Sequence, residues 1–246
     1  AGPLAVKAVD DTVFWMGVEE FYIYTGQVQK LPCSVRSYVF NDFNVGQRSQ
    51  VAAGLNSSFS EIWWFYPSSS STVLDRYVVF NYQEKVWYYG TMTRTFWLDR
   101  GVNDYPVAAN NDGYLYNHEV GLNDGTTTPA SAISSYIQSS QLSIGEGEEF
   151  VFLNRLIPDL TFDASTDAAA SVNMTLETRN YPGGPYLQSN ASAVTQTATT
   201  PVEQFTTEAY IRLRGRSFAL KVDSSTTDIQ WRLGSPRVEV RPDGRQ

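Results

Sequence analysis

The run from Ser60 to Gly121 constrains this chain more than any other. It holds Glu61-Ile-Trp-Trp-Phe-Tyr-Pro, a serine loop, Asp75-Arg-Tyr-Val-Val-Phe-Asn-Tyr, Lys85-Val-Trp-Tyr-Tyr-Gly and Asn111-Asp-Gly-Tyr-Leu-Tyr-Asn-His-Glu-Val-Gly. Aromatic and β-branched side chains suit a pleated, packed surface, and turn residues at close, even spacing separate the runs. The pattern predicts three or four short antiparallel strands, the unit from which a meander or one propeller blade is made. Residues 11–32 carry the same grammar, with strands at Asp11–Gly17, Phe21–Gly26 and Gln27–Pro32. A loose repeat of roughly 40–50 residues is the mark of blade arrays. A closed propeller takes about four to eight blades, so two blade-like segments do not close a ring.

Between the two aromatic regions, Val35 to Phe43 has spacing that fits either a short helix or a crossover, and Val51–Asn56 reads as a short strand. Thr126-Thr-Thr-Pro-Ala-Ser marks a boundary in texture. Beyond it aromatics thin out and period-two alternation takes over. Strands are expected within 132–140, 150–162, 171–179, 205–214, 217–223, 229–234 and 236–241. Alternation with one polar face means antiparallel strands laid on a core, and seven of them predict a β-sandwich. The expected architecture is all-β: a partial, propeller-like blade domain over 1–128, then a β-sandwich domain over 129–246.

Composition excludes several classes. The 246 residues carry a formal net charge of -8, which does not favour general binding to nucleic acid or anionic membranes. No run approaches the roughly 18 apolar residues of a membrane helix. No signal segment opens the chain, and its start at Ala1-Gly2-Pro3 suggests a processed product or a piece of something longer. Cys33 is the only cysteine and His118 the only histidine, so no disulfide can form within the chain and zinc lacks its usual ligands.

No residue pattern specifies catalysis, a cofactor or a metal. Asp99, Asp104, Asp112 and Glu119 fall in a loop-rich region, where two carboxylates are what glycoside hydrolysis needs, but nothing fixes their spacing. Asn110-Asn-Asp-Gly and Leu122-Asn-Asp-Gly are fragments of a calcium loop without its downstream acid. His118 is expected to be structural, Cys33 a small buried hydrophobe, and Gly145-Glu-Gly-Glu-Glu an acidic turn rather than a phosphate cradle. Trp63-Trp64 and Trp87-Tyr88-Tyr89 offer a sugar-stacking platform if exposed and a core if not. A sharper feature is charge. Residues 209–246 hold eight basic and four acidic side chains, near +4, and the remainder is near -12. In Ile211-Arg-Leu-Arg-Gly-Arg the two arginines of the alternating part face away from Ile211 and Leu213. Such a face suits an acidic partner surface or phosphates, or else is a solvated face with cross-strand ion pairs. Opposite charge in the two halves also lets neighbouring copies complement each other, which makes Arg212, Arg214 and Arg216 the candidate subunit-interface residues.

Two blocks of the chain resemble a known group. The first is Phe14-Trp-Met-Gly, Phe21-Tyr-Ile-Tyr-Thr-Gly-Gln-Val-Gln-Lys-Leu-Pro-Cys, Glu61-Ile-Trp-Trp-Phe-Tyr-Pro and the run Asp75 to Gly90. The second is Arg212-Leu-Arg-Gly-Arg-Ser-Phe-Ala-Leu-Lys-Val, Trp231-Arg-Leu-Gly-Ser-Pro-Arg and Asp243-Gly-Arg. Together they resemble the tail nozzle, or head-to-tail stabilisation (tail accessory factor), proteins of short-tailed bacteriophages. The resemblance implies a non-enzymatic virion protein without cofactors: a β-propeller with an added β-domain, assembled with copies of itself as a ring of six. Its partners are the phage portal, adaptor and tail proteins, and genomic DNA passes through without sequence recognition. Assembly in the host cytoplasm and residence in the virion tail follow. Members of that group are longer, so this chain is expected to be a C-terminal portion. The competing expectation is a carbohydrate- or receptor-binding β-protein, an adhesin-like tail component.

Overall fold

The computed structural model describes residues 1–143, 147–181 and 196–244. It is mostly β, built from several small antiparallel sheets, in two compact units, Ala1–Val120 and Gly121–Gln246. The turn glycine Gly145 and its neighbour Glu146, like Arg245, lie outside the described residues.

In the first unit, β1 (Val6–Val9), β2 (Thr12–Met16), β3 (Phe21–Tyr24) and β4 (Val28–Leu31) form a meander in chain order. Helix α1 (Arg36–Asp42) and a 3-10 turn (Val45–Gln50) then cross to a second meander. That sheet is β5 (Ala52–Asn56), β6 (Glu61–Tyr66), β7 (Arg76–Asn81) and β8 (Val86–Thr91). A three-stranded sheet follows, β9 (Phe96–Leu98), β10 (Val107–Ala109) and β11 (Leu115–Asn117), with β10 central. The expected helix is real but short, and its one fully buried side chain is Val39.

Strand β6 shows why its sequence does not alternate. Ile62, Trp64 and Tyr66 face a core shared with Phe14, Met16 and Phe21 of the first sheet. Trp63 and Phe65 face the other way, onto Trp97 of β9 and Ala108 of β10. A strand covered on both sides reads as an unbroken apolar run. The indoles that this buries keep their N–H groups paired: Trp64 Nε1 donates to the Ala5 carbonyl at 3.0 Å, and Trp97 Nε1 to the Leu55 carbonyl at 2.9 Å. Gly54 lies against the Trp97 ring so closely that a Cβ there would come within 2.5 Å of it.

The second unit opens with a ribbon of β12 (Asn123–Asp124) and β13 (Ser131–Ala132), followed by β14 (Ser135–Gln138), β15 (Leu142–Ser143), β16 (Val151–Ile157) and β17 (Leu160–Thr161). The chain continues with β18 (Ser171–Arg179), β19 (Thr197–Glu203), β20 (Ala209–Gly215), β21 (Ser217–Ser224), β22 (Arg232–Leu233) and β23 (Arg237–Pro242). One sheet has the order β14-β21-β18-β19, with β15 also on β21; another has the order β20-β16-β23. Val172, Met174 and Leu176 of the former and Leu153, Leu156, Ile211 and Leu213 of the latter meet in one core. Leu153 and Leu156 are three residues apart, an odd spacing that simple alternation sends to opposite faces. A register shift at Asn154 resolves it, as a bulge inserts one residue and resets the phase.

Several expectations shift in detail. The strand expected from Phe205 begins only at Ala209, and Phe205 is 87% exposed. The 229–234 strand shrinks to Arg232–Leu233, although Ile229 still reaches the core. Strand β19 was not foreseen, because Thr-Ala-Thr-Thr-Pro-Val-Glu has little apolar content and a proline. It lies at the sheet edge, where proline is tolerated.

Replacing Gly54 by Ala forces its new methyl into the Trp97 ring and should destabilise the first unit by about 1–3 kcal/mol. Leu176→Ala, in the second core, should cost about 2–5 kcal/mol. Urea denaturation of each variant, followed by far-ultraviolet circular dichroism, checks both.

Candidate functional site

Strand β20 alternates as expected: Ala209, Ile211, Leu213 and Gly215 are buried, and Tyr210, Arg212 and Arg214 are exposed. On β23, across β16 from β20, Val238 and Val240 pack on the core, so Arg237, Glu239 and Arg241 share the outward face with the β20 arginines. Ion pairs stitch this face. Arg155 reaches Glu208 at 3.1 Å and Glu239 at 3.0 Å, Arg241 reaches Glu239 at 2.8 Å, and Arg214 pairs with Asp243. Such exposed pairs contribute roughly 0–1 kcal/mol each, and their acids cancel part of the positive field.

The three candidate arginines therefore part company. Arg214 is spent within the unit, on Asp243 and on the ring of Phe150, whose centroid is 4.0 Å from its guanidinium carbon. Arg216 is half-buried over the same ring at 4.9 Å, and its Nε has no hydrogen-bond partner among the described residues. Arg212 stands exposed and enters no ion pair among the described residues, as does Arg237. Phe150, Asp243, Arg155 and Glu239 were not singled out from sequence. Only the strand register that aligns Phe152 with both Arg214 and Arg241 reveals that these segments are neighbours.

Asp99, Asp112 and Glu119 each engage different hydrogen-bond partners, and among the described residues no three His, Cys, Asp or Glu side chains gather as metal ligands. Asp99 accepts the backbone N–H groups of Ser57 and Arg100. Asp104 lies on an exposed loop. Asp112 closes its own turn, accepting the Tyr116 hydroxyl at 2.7 Å, the Tyr114 N–H at 2.9 Å and the Asn110 amide at 3.0 Å. The Tyr116 hydrogen bond, first among these, holds its carboxyl below the usual range. The calcium-loop fragment is thus an Asx turn satisfied by its own chain.

Glu119 behaves differently. Its carboxylate accepts from the Asn56 amide at 3.1 Å. Partial burial, then the charge of Glu61, raises its pKa. Glu61, which the sequence reading passed over inside an aromatic run, accepts from Trp63 Nε1 at 3.1 Å and the Tyr88 hydroxyl at 2.7 Å. Burial raises its pKa as well.

The Trp63-Trp64 cluster is core, while in Trp87-Tyr88-Tyr89 the two flanking rings are half-buried and Tyr88 is exposed. Trp63 and Trp64 are buried, and Trp87 stacks on Trp64 and Phe80 while donating to the Pro32 carbonyl at 2.9 Å. Neither Trp63 nor Trp64 has a ring face open to a sugar. Burial lifts the Cys33 thiol to about 11, so it is protonated at neutral pH. His118 Nε2 accepts from Arg94 Nε at 2.9 Å, and its ring packs on Trp97. Burial, then the Arg94 charge, depresses His118 to about 4, which keeps it a neutral acceptor. No family model matches the chain, and no curated protein matches its sequence.

His118 makes a pH prediction. Its folded pKa lies below the unfolded value, so its contribution is complete above about pH 6.5 and is lost as pH falls towards 4. The loss should approach about 2–3 kcal/mol at its lower end. His118→Gln should flatten the dependence of the urea midpoint on pH between 6.5 and 4.

Proposed function

We propose that the chain is a non-enzymatic structural protein of a bacteriophage tail, part of a nozzle or adaptor ring that extends and seals the DNA channel. The observation that carries this reading is the packing of the first unit. The middle meander, β5–β8, packs on both sides, its strand β6 buried against the β1–β4 sheet on one face and against Trp97 of β9 and Ala108 of β10 on the other. Consecutive meanders laid face to face on aromatic layers are how propeller blades pack. In this reading the three sheets are consecutive blades, and further blades come from outside these residues. The two larger sheets of the second unit, sharing one core, form the accompanying β-sandwich.

Two surfaces fit life in an assembly. The outward face of the first meander carries Val6, Tyr24 and the 64% exposed Val28, an apolar surface of the kind that marks contacts. The β20–β16–β23 face offers Arg212 and Arg237 with free charge. In a ring these arginines meet the acidic surface of a neighbouring copy, and acidic walls let DNA slide.

Multi-angle light scattering of the purified protein, alone and with candidate tail-tube partners, tests the reading. A ring-sized mass is expected, and Arg212→Glu or Val28→Lys, both at exposed positions, should shift it toward the protomer. A protomer mass in every mixture would overturn the proposal, and a ring unmoved by Arg212→Glu would remove the arginine from the interface.

A further inference from the structure

We propose that Asn56, Glu61 and Glu119 form a binding site for a hard divalent cation, calcium by preference. Asn56 and Glu61 are directly opposite each other in the β5–β6 ladder, so their side chains rise side by side from the same sheet face. Glu119 comes from the segment after β11, and its carboxylate takes the Asn56 amide N–H at 3.1 Å. Asn56 therefore has one acidic residue opposite it in the ladder and a second carboxylate on its amide.

The polar accounting there does not close within the protein. Asn56 is wholly buried, at 0% exposure, yet its carbonyl oxygen Oδ1 has no hydrogen-bond partner among the described residues. A buried carbonyl without a partner is uncommon and calls for a cause. Neither carboxylate is paired with a Lys, Arg or His among the described residues. Among the described residues Glu61 receives the neutral donors Trp63 and Tyr88, and Glu119 receives Asn56. Two partly desolvated carboxylates that repel each other are left beside an orphan oxygen.

A cation resolves all three deficits at once. Calcium takes carboxylate, amide-carbonyl and water oxygens in irregular geometry, whereas magnesium demands a near-octahedral shell and gives up water reluctantly. A mixed set of two carboxylates and one amide oxygen, completed by water, suits the former. The rim is open: Glu119 is exposed and Tyr88 is 37% exposed. The site draws on no residue of the arginine face and stands or falls independently of the assembly reading.

The test uses terbium as a calcium stand-in on the full chain after EDTA treatment at pH 7. The Trp63 indole donates directly to Glu61, so terbium held there is excited through that indole and emits. Saturable emission that excess calcium displaces is expected, with a higher melting midpoint in calcium. Glu61→Gln and Glu119→Gln should each weaken terbium binding by about tenfold or more, since ligand charge sets affinity. Asp112→Asn, at a carboxylate already satisfied by its own turn, should bind as wild type. Near-ultraviolet circular dichroism confirms folding; Glu119, at the surface, keeps the test decisive if Glu61→Gln unfolds. The proposal fails if Glu119→Gln binds terbium like wild type, or if calcium neither competes nor stabilises. Stabilisation by acid alone would assign the pair a shared proton instead.

Discussion

Strand β6 is the element on which the first unit depends. It joins two hydrophobic cores: Ile62, Trp64 and Tyr66 belong to one, Trp63 and Phe65 to the other. Burying a strand on both faces removes its side chains from water twice over, and large aromatics bury the most area. The arrangement also sets strict geometric demands. Gly54, one strand away, must stay bare for Trp97 to close the second core. The indole N–H groups of Trp64, Trp97 and Trp87 find backbone carbonyls outside their own strands, which ties Ala5, Leu55 and Pro32 to the same centre. Losing one of these layers therefore loosens segments far apart in the chain.

What the sequence made legible follows from this physics. Aromatic strands divided by turn residues revealed the two meanders, because strand propensity and turn chemistry act locally. The alternation of Ile211, Arg212, Leu213 and Arg214 revealed the outward arginines, because one face of β20 meets solvent. Other features were hidden because they depend on partners remote in sequence. Glu61 looks like the polar start of an aromatic strand until Asn56 and Glu119 are seen beside it. Asp243 looks like one charge among many until it is seen paired with Arg214, whose charge it offsets at the surface. The proline in β19 argued against a strand, and only the sheet order shows that it occupies an edge.

The two units solve the same packing problem by different means. In the first, short meanders share aromatic layers, so a strand serves two cores. In the second, longer strands present one apolar face each, and the bulge at Asn154 corrects the phase of β16 so that Leu153 and Leu156 both point inward. Polar outward faces are the result, and the arginine face is one of them. Its charges are mostly neutralised locally, which concentrates any outward attraction on Arg212 and Arg237 rather than spreading it across the strand.

Edge strand β19 has a consequence for how this sheet can meet other chains. An uncovered edge is a template on which another chain's strand can pair, and repeated pairing of that kind ends in aggregates. Pro201 has no N–H to offer, and Thr199 engages the Thr175 hydroxyl at 2.8 Å on the inner side. The missing N–H weakens that edge as a template for another strand. Side-chain surfaces, whose chemistry selects partners, then count for more than a backbone edge that accepts almost any strand.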